Sequence, residues 1–217
     1  MLDFSKYNCI DLTMPYQEGI AGYAYDIART VEKDGWNART LHLYSHAGTH
    51  MDAPLHFGVS KDTIDEFLPS QLMGQAWVVN IPIHQSQQLI TIEDLGSIAN
   101  QFQVGDSLLL RTDWSQFVEL PKYRNELPRI SEGLAHWCVK NKVKMLGVEP
   151  PSVADVNNLE EVTIIHHILL KGQVIIIEGL TNLDQIQQPK VLLIALPLKI
   201  KDGDGAPARV IALEEKA

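Results

Sequence analysis

The chain has 217 residues, a length that fits one domain and can bury a core without disulfide or metal staples. It is 45% hydrophobic and 21% charged with a mean hydropathy of −0.06, too apolar for a disordered chain and too mixed for a membrane bundle. Lys and Arg number 18 against 27 Asp and Glu, and the resulting formal charge of −9 disfavours nucleic acid or an anionic membrane as a partner.

Cys9 and Cys138 lie far apart and form no C-x-x-C pair, so neither a disulfide framework nor a thiolate zinc site is expected, and a reduced, cytoplasmic setting is. The start, Met1 to Lys6, has an acid at position three and no apolar h-region, which predicts no secretory signal. The longest apolar runs, Val174 to Ile177 and Val191 to Leu198, fall far short of the ~20 residues that span a bilayer.

In chain order, Cys9 to Thr13 predicts a short strand ending near Pro15. Residues 16–36 carry Gly19, Gly22, Gly35 and several aromatics with weak periodicity, and read as an irregular arm. Arg39 to Ser45 alternates as a half-buried strand does, with Leu41 and Leu43 opposite His42 and Tyr44. Ala76 to Ile81, Ser107 to Leu110, Val143 to Val148, Val174 to Ile177 and Val191 to Leu196 are apolar enough for strands covered on both faces, and Val210 to Leu213 adds one more. Thr91 starts one short helix, and Ser131 caps another that runs through Trp137 and Cys138 towards Lys142. Strands outnumber helices without regular βα alternation, which predicts an α/β or α+β domain with a mixed sheet. Trp114, Trp137 and Cys138 read as core or helix residues.

The chemistry concentrates in His46-Ala47-Gly48-Thr49-His50-Met51-Asp52-Ala53-Pro54-Leu55-His56-Phe57. Three of the eight histidines fall within this stretch, where even scatter would put about 0.4. Imidazole and carboxylate are ligands for zinc, manganese or iron(II), and His46, His50 and Asp52 make a usable three-ligand set. Gly48, Thr49 and Pro54 argue against a helix here. In an extended path residues 46, 50, 52 and 56 share parity and face one cavity, with Gly48 allowing close backbone approach. Four such groups are costly to bury without a cation. Glu178 closes an apolar strand and is the best source of a further ligand, and His166 or His167 reaches the same cavity. Gly203-Asp204-Gly205 lacks the Gly-Lys-Ser/Thr of a phosphate loop.

This segment resembles the H-x-G-T-H-x-D-x-P-x-H-F signature of the cyclase-like metal-dependent hydrolases, the family of bacterial kynurenine formamidase and isatin hydrolase. Further matches run along the chain: Asp11-Leu12-Thr13 with Pro15, Leu146 to Glu149 with Ser152, Glu178 to Leu183, Leu196 to Lys199, and Gly203 to Pro207 with Arg209. The resemblance implies one swivelling β/β/α-like domain over 1–217, a mixed sheet flanked by helices, with residues 14–37 as an arm exchanged in a homodimer or tetramer. It implies that His46, His50 and Asp52 hold one divalent ion, zinc or manganese, that His166 and Glu178 help hold a second, and that Asp52 and Glu178 bridge them. His166 fits the family's H-x-x-L-L spacing to the glutamate, which leaves His167 a neighbour. His56 is then the acid and base, and a metal-activated water is the nucleophile.

The implied reaction is arylformamidase, cleaving N-formylkynurenine to kynurenine and formate in tryptophan catabolism. The alternatives are opening of a cyclic amide or lactone, or a metal-binding protein without turnover. Two departures bear on substrate. Tyr23-Ala24-Tyr25-Asp26 replaces an aromatic-Pro-Gly-Asp stretch, so Tyr23 becomes the candidate substrate-binding aromatic, and Glu149 stands where relatives often have aspartate. His42 reads as an ordinary strand histidine.

Overall fold

A computed structural model describes residues 4–216. Residues 1–3, on which the expected lack of a signal segment partly rests, lie outside the described residues. The strands are β1 (Tyr7–Asp11), β2 (Tyr23–Arg29), β3 (Ala38–Leu43), β4 (His50–Asp52), β5 (Met73–Asn80), β6 (Leu89–Ile90), β7 (Ser107–Arg111), β8 (Arg129–Ile130), β9 (Met145–Val148), β10 (Ile175–Glu178), β11 (Lys190–Pro197) and β12 (Gly205–Glu215). The helices are α1 (Val31–Asp34), α2 (Ile98–Gln101), α3 (Lys122–Asn125), α4 (Glu132–Lys140) and α5 (Leu159–Lys171). No helix among the described residues is long and apolar enough to cross a membrane.

Eight strands form one mixed sheet in the order β1-β12-β11-β5-β7-β9-β10-β4, parallel from β5 to β10 and antiparallel elsewhere. The long strand β12 closes it. Ile211 to Glu215 pair with β1, while Gly205 to Pro207 pair with β4 on the other end of the sheet, so the sheet curls into a barrel.

The apolar strands sort their side chains by parity, as a sheet covered on both faces must. Leu109, Met145, Ile175 and Ile177 point into the barrel with Met51, Leu193 and Val210. Leu108, Leu110, Leu146, Val148 and Ile176 point outward against Leu134 and Cys138 of α4 and Ile165 and Leu169 of α5. Trp114 is buried, as its sequence suggests. Ser131 caps α4 by accepting from the Leu134 amide at 3.1 Å.

The structure corrects three local expectations. Residues 16–36 are not irregular throughout: β2 and β3 pair in register from Tyr23↔Leu43 to Ile27↔Arg39, shift by a bulge before Arg29↔Ala38, and are joined through α1 and Gly35 at φ +83°. Only β2 lacks a pattern; the alternation of Arg39 to Ser45 marks β3 as a strand, but not a half-buried one within this chain, because nearly all of the hairpin is exposed and neither face is selected for burial. The helix expected from Thr91 is only a 3-10 turn over Glu93–Leu95, since Gly96 at φ +54° breaks it before α2. Finally, the extended path expected for residues 46–56 holds only over β4, with turns on both sides.

Candidate metal centre

Strand β4 places His50 and Asp52 on one face and sends Met51 into the barrel. Its neighbour β10 sets Glu178 opposite His50 in register. Outside that face runs α5, whose start is fixed by Asn158 accepting from the Glu161 amide at 3.2 Å, and which aims His166 at the same point. Turns then bring in His46 from before β4 and His56 from after it, and the Gly203–Gly205 turn adds Asp204.

The distances form two linked groups. His46 Nδ1 lies 2.9 Å from Asp52 Oδ1, and His50 Nε2 lies 3.7 Å from the same oxygen and 3.2 Å from Glu178 Oε2. His166 Nε2 lies 3.6 Å from Asp52 Oδ2 and 3.5 Å from Glu178 Oε1. Each carboxylate thus turns one oxygen towards His50 and the other towards His166. His50, Asp52, His166 and Glu178 are all buried.

Two backbone carbonyls orient the rings. His50 Nδ1 donates to Gly48 O at 2.9 Å and His166 Nδ1 donates to Val162 O at 2.6 Å. A carbonyl accepts only, so each Nδ1 carries the proton and each Nε2 faces the carboxylates. Asp52 Oδ2 is buried without a hydrogen-bond partner. An orphaned carboxylate oxygen facing imidazole nitrogens is the donor chemistry of a divalent N/O site, and the residues present fit such an ion. His167 turns away, with Nε2 3.0 Å from Phe57 O.

His56 differs from the others. It stacks on His46 with ring centroids 3.7 Å apart, and its Nδ1 is 3.6 Å from Asp204 Oδ2. At 24% side-chain exposure it is the reachable imidazole of the group. Burial, together with His46 and His166, pushes its pKa below the ordinary value of 6.5, so it is a neutral base at neutral pH. His46 moves the other way. Burial alone would lower it, but Asp52 and Asp204 on its two nitrogens raise it to about 9. Burial opposes the Glu178 charge, yet His166 and His50 hold that carboxyl well below its usual range.

Asp204 is a site residue that the sequence does not single out: its Gly-Asp-Gly setting lies in a segment that matches the family and lacks a phosphate-loop pattern, but carries no ligand spacing of its own. Its signal is the pair of flanking glycines: a Cβ at Gly205 would sit 2.5 Å from His46 Cε1 and 2.8 Å from Met51 O, so only glycine admits the histidine there. Phe57 is a second addition, stacked on His166 at 4.2 Å.

Tyr23 does not line the cavity beside the centre within this chain. It lies on the hairpin in ring contact with Tyr16 and Tyr25, because β2 turns it along the exposed arm. His42 is also remote, bonded to Asp26 across the hairpin at 2.7 Å. Glu149 is buried, and its Oε2 accepts from the Thr112 amide and hydroxyl and from the Trp114 amide, which braces the loop after β7. Burial raises its pKa against those donors.

The family model for Cyclase, described as putative cyclase, matches residues 10–155. The chain belongs to the cyclase family. It is 29% identical over 211 residues to the kynurenine formamidase of Bacillus cytotoxicus, covering 93% of this chain and 95% of that one. The kynurenine formamidase of Bacillus cereus is 27% identical over 209 residues with the same coverage. Among solved structures, isatin hydrolase A from Ralstonia solanacearum superposes with a TM-score of 0.86 at 22% identity, covering 97% of this chain and 93% of that one. A potential metal-dependent hydrolase with cyclase activity superposes with a TM-score of 0.77 at 26% identity, over 97% of this chain and all of the other.

Proposed function

We propose that this cyclase-family protein is a metal-dependent amidohydrolase, with an aryl formamide of the N-formylkynurenine type as substrate. The observation that carries the reading is the sharing of Asp52 and Glu178 between two imidazole groups, with the orphaned Asp52 Oδ2 at their centre. His46, His50 and Asp52 would hold one divalent cation, zinc or manganese, and His166 and Glu178 would help hold a second. Such ions, when bound, make water nucleophilic near neutral pH and polarise a carbonyl. The long coverage by kynurenine formamidases favours the formamide over a cyclic amide or lactone.

The chain's own groups supply the proton traffic. His56, neutral and reachable, takes a proton as water adds to the formyl carbon, then delivers it to the aniline nitrogen as the C–N bond breaks, releasing formate and the aryl amine. Asp204 holds the His46 ring through Nε2 at 3.0 Å and puts its charge 3.6 Å from His56 Nδ1. Half-buried Phe57 and Tyr123 line the cavity and exclude water from part of its wall. Purified protein with measured metal content, assayed against N-formylkynurenine, isatin and simple lactones, tests the reading. Turnover of the formamide first and fastest is expected, and turnover of isatin or a lactone alone would transfer the assignment to ring opening.

The arm extends the proposal to assembly. Ile27, Val31, Trp36, Leu41 and Tyr44 expose apolar surface on a two-stranded hairpin, which is marginal alone in water. Leu196 and Leu198 with Pro207 expose an apolar groove on the barrel beside Leu43. The hairpin, within the segment 14–37 and its return strand, is assigned to a second copy of the chain, giving a homodimer. Sedimentation of Ile27→Asp with Leu41→Asp is expected to yield monomer where the native protein is dimeric; a monomeric native protein at micromolar concentration would refute the assignment.

A further inference from the structure

The cavity over the metal centre has a wall that the hydrolytic machinery does not use. Met14, Ile20, Val118, Leu120 and Pro121 line an apolar recess that opens onto His46 and His50. Arg124 borders this recess and also the chamber that contains His56, His166 and Glu178. It is the one arginine at the mouth of the site.

Five of the six arginines have a partner. Arg29 meets Asp34, Arg39 lies over the Tyr25 ring, and Arg111, Arg129 and Arg209 pair with Asp113, Glu161 and Asp11. Arg124 has no ion pair, hydrogen bond or ring contact among the described residues, in a chain whose net charge is −9. Lys122 on the same turn is engaged, its Nζ 3.2 Å from the Phe117 ring centroid. An unpartnered guanidinium is therefore kept at the cavity while acidic groups abound.

Its backbone is also held firmly. Within α3 the neighbouring Tyr123 donates its hydroxyl to Glu149 O at 2.8 Å, and Trp114 Nε1 donates to Tyr123 O at 2.9 Å. Glu149 in turn accepts from the Trp114 amide. A planar fork of donors on a braced turn suits a carboxylate, whereas the apolar recess suits an aryl ring.

We propose that Arg124 is a specificity-determining residue that recognises a carboxylate on the substrate, so that the site selects aryl amides carrying an anionic side group over neutral ones. The proposal rests on the reading of the centre as an amide-cleaving site and names the substrate class. It also separates the two candidate chemistries, because N-formylkynurenine carries such a carboxylate and isatin does not.

The test uses metal-loaded protein and two binding probes, 4-oxo-4-phenylbutyrate and its methyl ester, titrated calorimetrically into native protein, Arg124→Gln and Arg124→Lys. Native protein is expected to bind the acid more tightly than the ester. Arg124→Gln should weaken the acid by about 10- to 100-fold, the range for a hydrogen bond to a charged group, and leave the ester within about twofold. Arg124→Lys should recover part of the loss. In turnover, Arg124→Gln should raise KM for N-formylkynurenine by a similar factor with kcat little changed, and spare 2′-formamidoacetophenone, which lacks the carboxylate. Equal affinity of native protein for acid and ester overturns the proposal. So does equal binding of the acid by native protein and Arg124→Gln, which would place the carboxylate elsewhere. If the acid is discriminated through Arg124 but no formamide is hydrolysed, the carboxylate proposal stands and the formamidase reading alone fails.

Discussion

His56→Ala is expected to lower kcat for N-formylkynurenine by about 100- to 10,000-fold, the usual contribution of a positioned acid-base group. KM should change little, and metal content decides the role of His56: His46, Asp52 and His56 lie close enough to hold a cation, as do His50, Asp52 and Glu178, so a proton carrier stacked on His46 leaves the metal content unchanged when it is removed. The pH profile adds a sign. His56 must be neutral to take a proton, so activity falls as pH drops through its pKa, and burial with His46 and His166 nearby puts that limb below the ordinary 6.5. Bound cations act in the same direction. The alanine variant should lose that acid limb. A rate within about twofold of native would remove His56 from the mechanism, whereas loss of metal in the variant would make it a ligand.

Asp52→Ala is expected to abolish both metal binding and turnover, the largest effect of any single change here. Among the described residues, Asp52 is the one carboxylate within reach of His46, His50 and His166 together. The variant relieves the unpartnered Oδ2 but also strips His46 Nδ1 of its 2.9 Å partner, so the metal-free variant should be less stable than the metal-free native chain. Elemental analysis and the denaturation midpoint of both metal-free proteins read the two effects separately. Retention of stoichiometric metal by Asp52→Ala would show that Asp52 is not a shared ligand.

Much of the fold is legible in the sequence where one physical requirement dominates. Strands β5, β7, β9, β10 and β11 are legible because both faces of the sheet are covered, so their residues must be apolar regardless of parity. Closure of the barrel is not legible, since it depends on which residues of β12 pair with β4 and which with β1, a choice made by distant contacts. The β2 half of the hairpin is illegible for the opposite reason: it buries too little in its own chain to leave a pattern, whereas β3 shows alternation. Helix α5 does carry local signals, with Asn158 before Glu160 and Glu161 and an apolar stripe at Val162, Ile165 and Leu169.

The site divides in the same way. His46, His50, Asp52 and His56 can be read together because they lie in one short segment. His166 is separated from His167 by helix geometry, one ring facing Asp52 and Glu178 and the other Phe57 O. Asp204 and Arg124 come from turns far off in sequence, and only the fold brings them to the cavity.

The measurement that bears most directly on the whole account is reconstitution. Protein is stripped of metal by chelation, its metal content is measured, and N-formylkynurenine hydrolysis is followed as zinc or manganese is titrated back. The account predicts no hydrolysis in the stripped protein and a rate that rises with bound metal until the site is filled. Full hydrolysis by protein shown to be free of metal would contradict it.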